Sequence, residues 1–218
     1  VSESISNATG VRQVRLAPTK VAHWVDGFFS NHGQGTATQS GQGIELGAPD
    51  GWRAFLTTCW PDWSGGDLAD FTAFVSKPRD FGIVLVRRAS CAVALVKGGK
   101  IVAHRTLRNY VQGRTKAGGW SQQRFQRRRA NQSSKASQKA VSAADEVIGT
   151  NKLVALVIGG DKVMVENVLA DGRLKRFAKI PRIWVPGHVP NPNFSIVSQV
   201  ATEIVKVDVE IHSPTVPT

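Results

Sequence analysis

Two uninterrupted apolar runs constrain this chain more than any other feature. Phe81 to Arg87 reads FGIVLVR, and Leu153 to Ile158 reads LVALVI. A strand with one wet face alternates apolar and polar residues. A strand apolar at nearly every position is buried on both faces, as in a sheet covered by helices. Between the runs lie a hairpin signal and a helix signal. Cys91 to Val96, Lys97-Gly98-Gly99-Lys100 and Ile101 to Leu107 give two strands joined by a Gly-Gly turn. Gln122 to Ile148 contains no Gly or Pro and is dominated by Ala, Gln, Arg and Lys, which predicts one long helix ended by Gly149. Asp161 caps a predicted helix over 162–169. A short strand at Ile183 to Val185, a helix over 194–202 and a strand over 204–211 follow. The predicted fold class is α/β, a mixed sheet flanked by helices.

A second, smaller module precedes this one. Val11 to Leu16 reads as a strand. Pro18 suits a helix start, and Val21, Ala22, Trp24, Val25, Phe28 and Phe29 give a helical stripe. Residues 33–51 are rich in Gly, Gln, Ser and Thr and read as loops around a short strand at Ile44 to Leu46. Residues 52–60 read as a strand and 67–76 as a helix. With Lys77-Pro78-Arg79-Asp80 as linker, the expected domains are a small N-terminal α/β module over 1–79 and a larger domain over 80–218. A chain of 218 residues with 41% hydrophobic side chains is long enough to bury such cores.

The charge is unevenly placed. The formal net charge is +12. Residues 81–144 hold fourteen basic and no acidic side chains, whereas residues 1–80 and 145–218 together come to −2. Fourteen uncompensated cations repel one another, and a polyanionic partner is the simplest reason to tolerate that. Nucleic acid fits. A membrane surface does not, because the basic stretch lacks a Leu-rich or aromatic opposing face. No run approaches the length of a membrane-spanning helix and no signal peptide is visible, so the expected compartment is the cytoplasm. Cys59 and Cys91 sit among apolar residues and are expected to be buried free thiols. The five histidines are scattered, and neither a metal site nor any cofactor is expected.

The acid-free segment contains the string QGRTKAGGWSQQRFQRRR, Gln112 to Arg129. Gly113, Gly118 and Gly119 let a backbone approach a partner closely. Arg114 and Lys116 flank them, Trp120 adds a large aromatic, and Gln122 and Gln123 lead into Arg124, Arg127, Arg128 and Arg129. Successive helix residues are 100° apart, so three consecutive arginines cannot all face a core. The whole describes a cationic probe on a cationic rod.

This string resembles the catalytic loop of the actinobacterial release-factor-like peptidyl-tRNA hydrolases. That family is related to eukaryotic and archaeal class I release factors. It is related also to the ankyrin-and-zinc-finger peptidyl-tRNA hydrolase of ribosome-associated quality control. Gly119-Trp120-Ser121-Gln122 fits the Gly-x-x-Gln pattern of the quality-control branch, while Gln123 is one residue out of register and stands as the alternative. The resemblance extends to the basic hairpin and to LVIGGD, Leu156 to Asp161. It implies an RNase-H-like topology and hydrolysis of the ester between nascent peptide and tRNA on stalled ribosomes or large subunits. It implies Gln122, Gly119, Gly118 or Gln123 at the reacting centre, and Arg114, Lys116, Trp120, Arg124, Arg127, Arg128 and Arg129 against RNA. Large-subunit rRNA and peptidyl-tRNA are the implied partners of a chain that is monomeric off the ribosome.

Gln has no useful pKa and cannot be a general acid or base. It can position a water, and orientation alone is worth on the order of 7 kcal/mol. A non-catalytic RNA-binding factor would explain the charge but leave the loop idle. A metal-dependent nuclease needs clustered carboxylates, and Asp161 alone is suggestive. Gly159-Gly160-Asp161 is not a dinucleotide-binding fingerprint.

Overall fold

The computed structural model describes residues 5–6, 11–108 and 121–214, with side chains over 11–108 and 134–214. The chain forms two units, residues 1–77 with 202–218, and residues 78–201.

In the first unit the strands are β1 (Ile5–Ser6), β2 (Val11–Leu16), β3 (Thr36–Ser40), β4 (Gly43–Gly47) and β5 (Arg53–Thr57). Helix α1 (Val21–His32) follows a 3₁₀ turn at Pro18–Lys20, and α2 is Leu68–Ser76. α1 buries Val21, Val25 and Phe28, the apolar stripe at i, i+4 and i+7. Asp67 caps α2 by accepting from Asp70 N at 2.8 Å, while Asp70 Oδ2 accepts from Asp67 N at 3.2 Å. This reciprocal capping box satisfies two otherwise orphaned donors. β3 was expected as a loop. It is an edge strand whose side chains are exposed or half-buried, so no apolar alternation marks it.

The second unit holds β6 (Phe81–Val86), β7 (Ser90–Lys97), β8 (Lys100–Arg108), α3 (Ser121–Ile148), β9 (Ala155–Gly160), α4 (Lys162–Leu169), β10 (Arg182–Trp184) and most of α5 (Phe194–Glu203). The sheet order is β10-β9-β6-β7-β8. β6, β7 and β8 form an antiparallel meander, and β9 and β10 join parallel to β6. This is the RNase-H-like arrangement, with β6 central and buried at every position. Gly98 and Gly99 turn the hairpin at φ +56° and +79°. Left-handed φ at both central residues is what a tight type I′ turn demands. Asp80 holds that turn, its Oδ1 accepting from Gly98 N at 2.9 Å.

Ala136, Ala140, Ala143 and Ala144 let α3 lie close to the sheet, joined in one core by Val141, Ile148, Val84, Val86, Leu156 and Ile158. A 3₁₀ turn at Gly172–Phe177 adds Leu174 and Phe177 to it. Burying side chains of this size is worth roughly 1.5–3 kcal/mol each. Sequence periodicity missed this turn because so short a 3₁₀ segment shows no helical repeat.

The last strand corrects the domain assignment. β11 (Val207–His212) pairs antiparallel with both β2 and β5. The first sheet therefore runs β1-β2-β11-β5-β4-β3. Val207 and Val209 lie in the first unit's core beside Val14, Leu16 and Leu56. The expected domain 80–218 thus gives up its final segment to the first unit. A short apolar strand carries no mark of which sheet it will join.

Of the two thiols expected to be buried, one is and one is not. Cys91 is buried, and desolvation pushes its thiol up to about 11, with Lys139 and Arg105 pulling weakly downward. Cys59 is exposed, because the alternation after β5 buries Thr58 and Trp60 and turns residue 59 outward. An alkylating reagent at pH 8 should modify one thiol in the native protein and two in denaturant, counted by intact mass. Equal native labelling of both would contradict this packing.

Candidate functional site

Strand direction defines one end of the second sheet. The register sets Val86 opposite both Cys91 and Gly160, and Ser90 opposite Arg108. The carboxyl ends of β6, β8 and β9 therefore coincide, at the end where open α/β sheets hold their sites. Arg87 and Arg88 follow β6, Arg108 closes β8, and Asp161 follows β9. α3 finishes at the opposite end. A Cβ at Gly82 would lie 2.9 Å from Ile148 Cδ1. The helix thus runs away from the carboxyl end and begins on that side, where residues 109–120 join it to β8.

Gly113, Gly118, Gly119, Trp120, Arg114 and Lys116 lie outside the described residues. Gln122, Gln123, Arg124, Arg127, Arg128 and Arg129 fall in the opening turns of α3. The first N–H groups of a helix have no intrahelical acceptor, and those of Ser121 to Gln123 belong to that set. The positive end of the helix dipole adds to the local field.

The cations around this end fall into two groups. Arg87 is held, its Nη1 donating to Val189 O at 2.6 Å and lying 2.9 Å from His188 Nε2. Arg105 forms an ion pair with Glu146 on α3. Arg88, Arg108, Lys135 and Lys139 are exposed and, among the described residues, have no carboxylate partner, whereas Lys97 and Lys100, equally exposed, lie in the hairpin turn at the opposite end of the sheet. The unit boundaries sharpen the charge pattern. The first unit holds six basic and ten acidic side chains, a net of −4, and the second holds 22 and 6, a net of +16. Ser90, opposite Arg108, buries a hydroxyl with no hydrogen-bond partner among the described residues.

Asp161 serves as a helix cap, its Oδ1 accepting from Met164 N at 3.1 Å. Among the described residues no three His, Cys, Asp or Glu side chains converge as metal ligands would. Among them also, no helix is long and apolar enough to cross a membrane. Sequence reading singled out nothing in the 185–193 loop, although His188 and the Val189 carbonyl fix Arg87. A backbone acceptor leaves no sequence signal.

An RNase-H-like α/β domain with a basic loop and long helix inserted after its third strand is the class these features define. Residues 79–210 match the family model acVLRF1, the Actinobacteria/chloroflexi VLRF1 release factor. That match spans more than half of the chain, and the chain belongs to this release-factor family. Its work accordingly lies in translation, at the ribosome. Comparison with curated proteins returns no match. Among solved structures, the chain is similar to "Vms1 mitochondrial localization core" at 9% identity and a TM-score of 0.47, covering 81% of this chain and 77% of that one. It is similar also to the archaeal translation termination factor aRF1 at 12% identity and a TM-score of 0.32, covering 84% and 62%.

Proposed function

We propose that the chain is a peptidyl-tRNA hydrolase that releases nascent peptides from tRNA on stalled ribosomes or large subunits. The observation that carries this reading is the family match over 79–210, which includes Gly119-Trp120-Ser121-Gln122. Gln122, with the adjacent Gln123 as the alternative, positions the attacking water in the peptidyl-transferase centre. Gly118 and Gly119 allow the close backbone approach. The orphan N–H groups at the start of α3 supply donors for the developing oxyanion. Because positioning and donors come from an amide and the backbone, the reaction needs no Ser-His-Asp set, and the RNA supplies the remaining surroundings.

Arg114, Lys116, Arg124, Arg127, Arg128 and Arg129 contact phosphates of large-subunit rRNA, and Trp120 stacks on a base or ribose. Each neutralised phosphate makes the affinity more sensitive to salt. Residues 78–201 form the catalytic unit of a chain that is a cytoplasmic monomer off the ribosome. The test is single-turnover release of labelled peptide from purified stalled complexes, wild type beside Gln122→Ala. Release at the wild-type rate by both the Gln122→Ala and Gln123→Ala variants would overturn the reading.

A further inference from the structure

The edge strand β8 carries a second feature that the release loop does not use. Alternation places His104, Thr106 and Arg108 on one face, opposite Ala94, Ala92 and Ser90 of β7. Arg105 and Leu107 take the other face, where Arg105 meets Glu146 of α3 and Leu107 packs on the core. On the first face the ring of Phe194, at the start of α5, lies against His104. Their centroids are 4.3 Å apart and their planes differ by 37°. Phe194 is 47% exposed. Its position is fixed by the cap beneath it, where Asn193 Oδ1 accepts from Ile196 N at 3.0 Å.

A phenyl ring half in water and set against an imidazole leaves aromatic surface open to solvent. Burying it in its own core would be the cheaper choice for the fold. The residues beyond it on the same strand face are a hydroxyl and a guanidinium, and Arg108 abuts residue 109, where the release loop begins. Every cation of this strand lies in the acid-free window. An aromatic platform beside a cationic track is how proteins hold single-stranded nucleic acid, the bases on rings and the phosphates on Arg and Lys.

We propose that Phe194 and His104 form a stacking platform for an unpaired RNA base. Thr106 and Arg108 hold the adjoining backbone as it passes toward the 109–120 loop. This rests on the reading that the chain works on ribosomal RNA, and it adds a contact outside the Gly-x-x-Gln loop. Protein is the less suitable occupant, because the strip offers three hydrogen-bonding side chains beside a single wet ring.

The experiment measures binding by fluorescence anisotropy, with a labelled single-stranded RNA oligonucleotide and an abasic oligonucleotide of equal length. Phe194→Ala should weaken the base-bearing ligand roughly ten-fold and leave the abasic one unchanged. Phe194→Trp should retain binding to both, which separates stacking from a folding defect. Equal losses on both ligands, or no loss on either, would overturn the platform. So would unchanged RNA binding with weakened binding to large subunits, which would assign the strip to a protein contact. Gln122→Ala, run in the release assay, reports on catalysis separately. If it and Gln123→Ala both released peptide normally while Phe194→Ala showed the base-dependent loss, the catalytic reading would fail and the platform would stand.

Discussion

Gln122→Ala should lower peptide release at least roughly 100-fold while binding to the large subunit survives. The magnitude follows from what one oriented donor is worth in a site shielded from water, about 10²–10³ in rate. Alanine keeps the helix, since it has the best helix propensity, and it keeps the backbone N–H. Only the side-chain amide is lost. On the proposed reading, binding rests on the cations of the acid-free window, none of which changes. Gln123→Ala should have a small effect, because the next residue along a helix points 100° away. The reverse pattern, with Gln123→Ala silent in binding but inactive in release, would move the catalytic assignment by one residue. Quench-flow release assays on stalled complexes distinguish these outcomes.

Gly160→Ala should be the most damaging small substitution in the second unit. Gly160 sits at φ +106°, and a Cβ there would stand 2.1 Å from Val86 O. The same carbonyl accepts from Asp161 N at 2.8 Å. The clash is therefore with backbone that is already engaged, at the strand end that sets the spacing of β6 and β9. Left-handed φ alone costs about 1–2 kcal/mol for a residue with a Cβ. With the carbonyl displaced, a loss of about 3 kcal/mol is expected, or roughly 6–12 °C in melting temperature for a chain of this size. Gly159→Ala should be milder. Its nearest neighbours are side-chain atoms, Val189 Cγ2 at 2.9 Å and Leu85 Cδ2 at 3.2 Å, and side chains can give. Calorimetry that found Gly160→Ala melting within about 2 °C of the wild type would contradict this account.

These glycines also show what the sequence could convey. Gly159-Gly160-Asp161 is recognisable as unlike a nucleotide fingerprint, and Asp161 as a cap, because both depend on neighbours along the chain. The close approach of β9 to the Val86 carbonyl depends on pairing across about 70 residues and leaves no local trace. The same division runs through the fold. FGIVLV, the Gly-Gly hairpin and the Gly-free helix were legible, since burial on two faces, a type I′ turn and helix propensity each impose a local pattern. β3, the Gly172–Phe177 turn and the allegiance of β11 were not, since exposure, brevity and long-range pairing impose none. At the candidate site, motif and charge were readable as composition. The ties that immobilise Arg87 and Arg105, and the meeting of His104 with Phe194 from positions 90 residues apart, required the folded chain.

The position of β11 has a consequence for the order in which the molecule is made. It is an inner strand of the first sheet, bonded on both sides, yet its residues are translated after the whole second unit. While the nascent chain is shorter than residue 207, β2 and β5 each carry an unpaired edge and the core lacks Val207 and Val209. The second unit can close as soon as residue 201 has cleared the exit tunnel, whereas the first must wait. Ribosome-bound nascent chains halted on either side of this strand should differ accordingly under limited proteolysis. Those lacking β11 should be cut within residues 11–77 and protected within 81–108 and 134–201. Protection of residues 11–77 in chains without β11 would show that the first sheet closes unaided. Of these two units, the one translated earlier would thus be the later to fold.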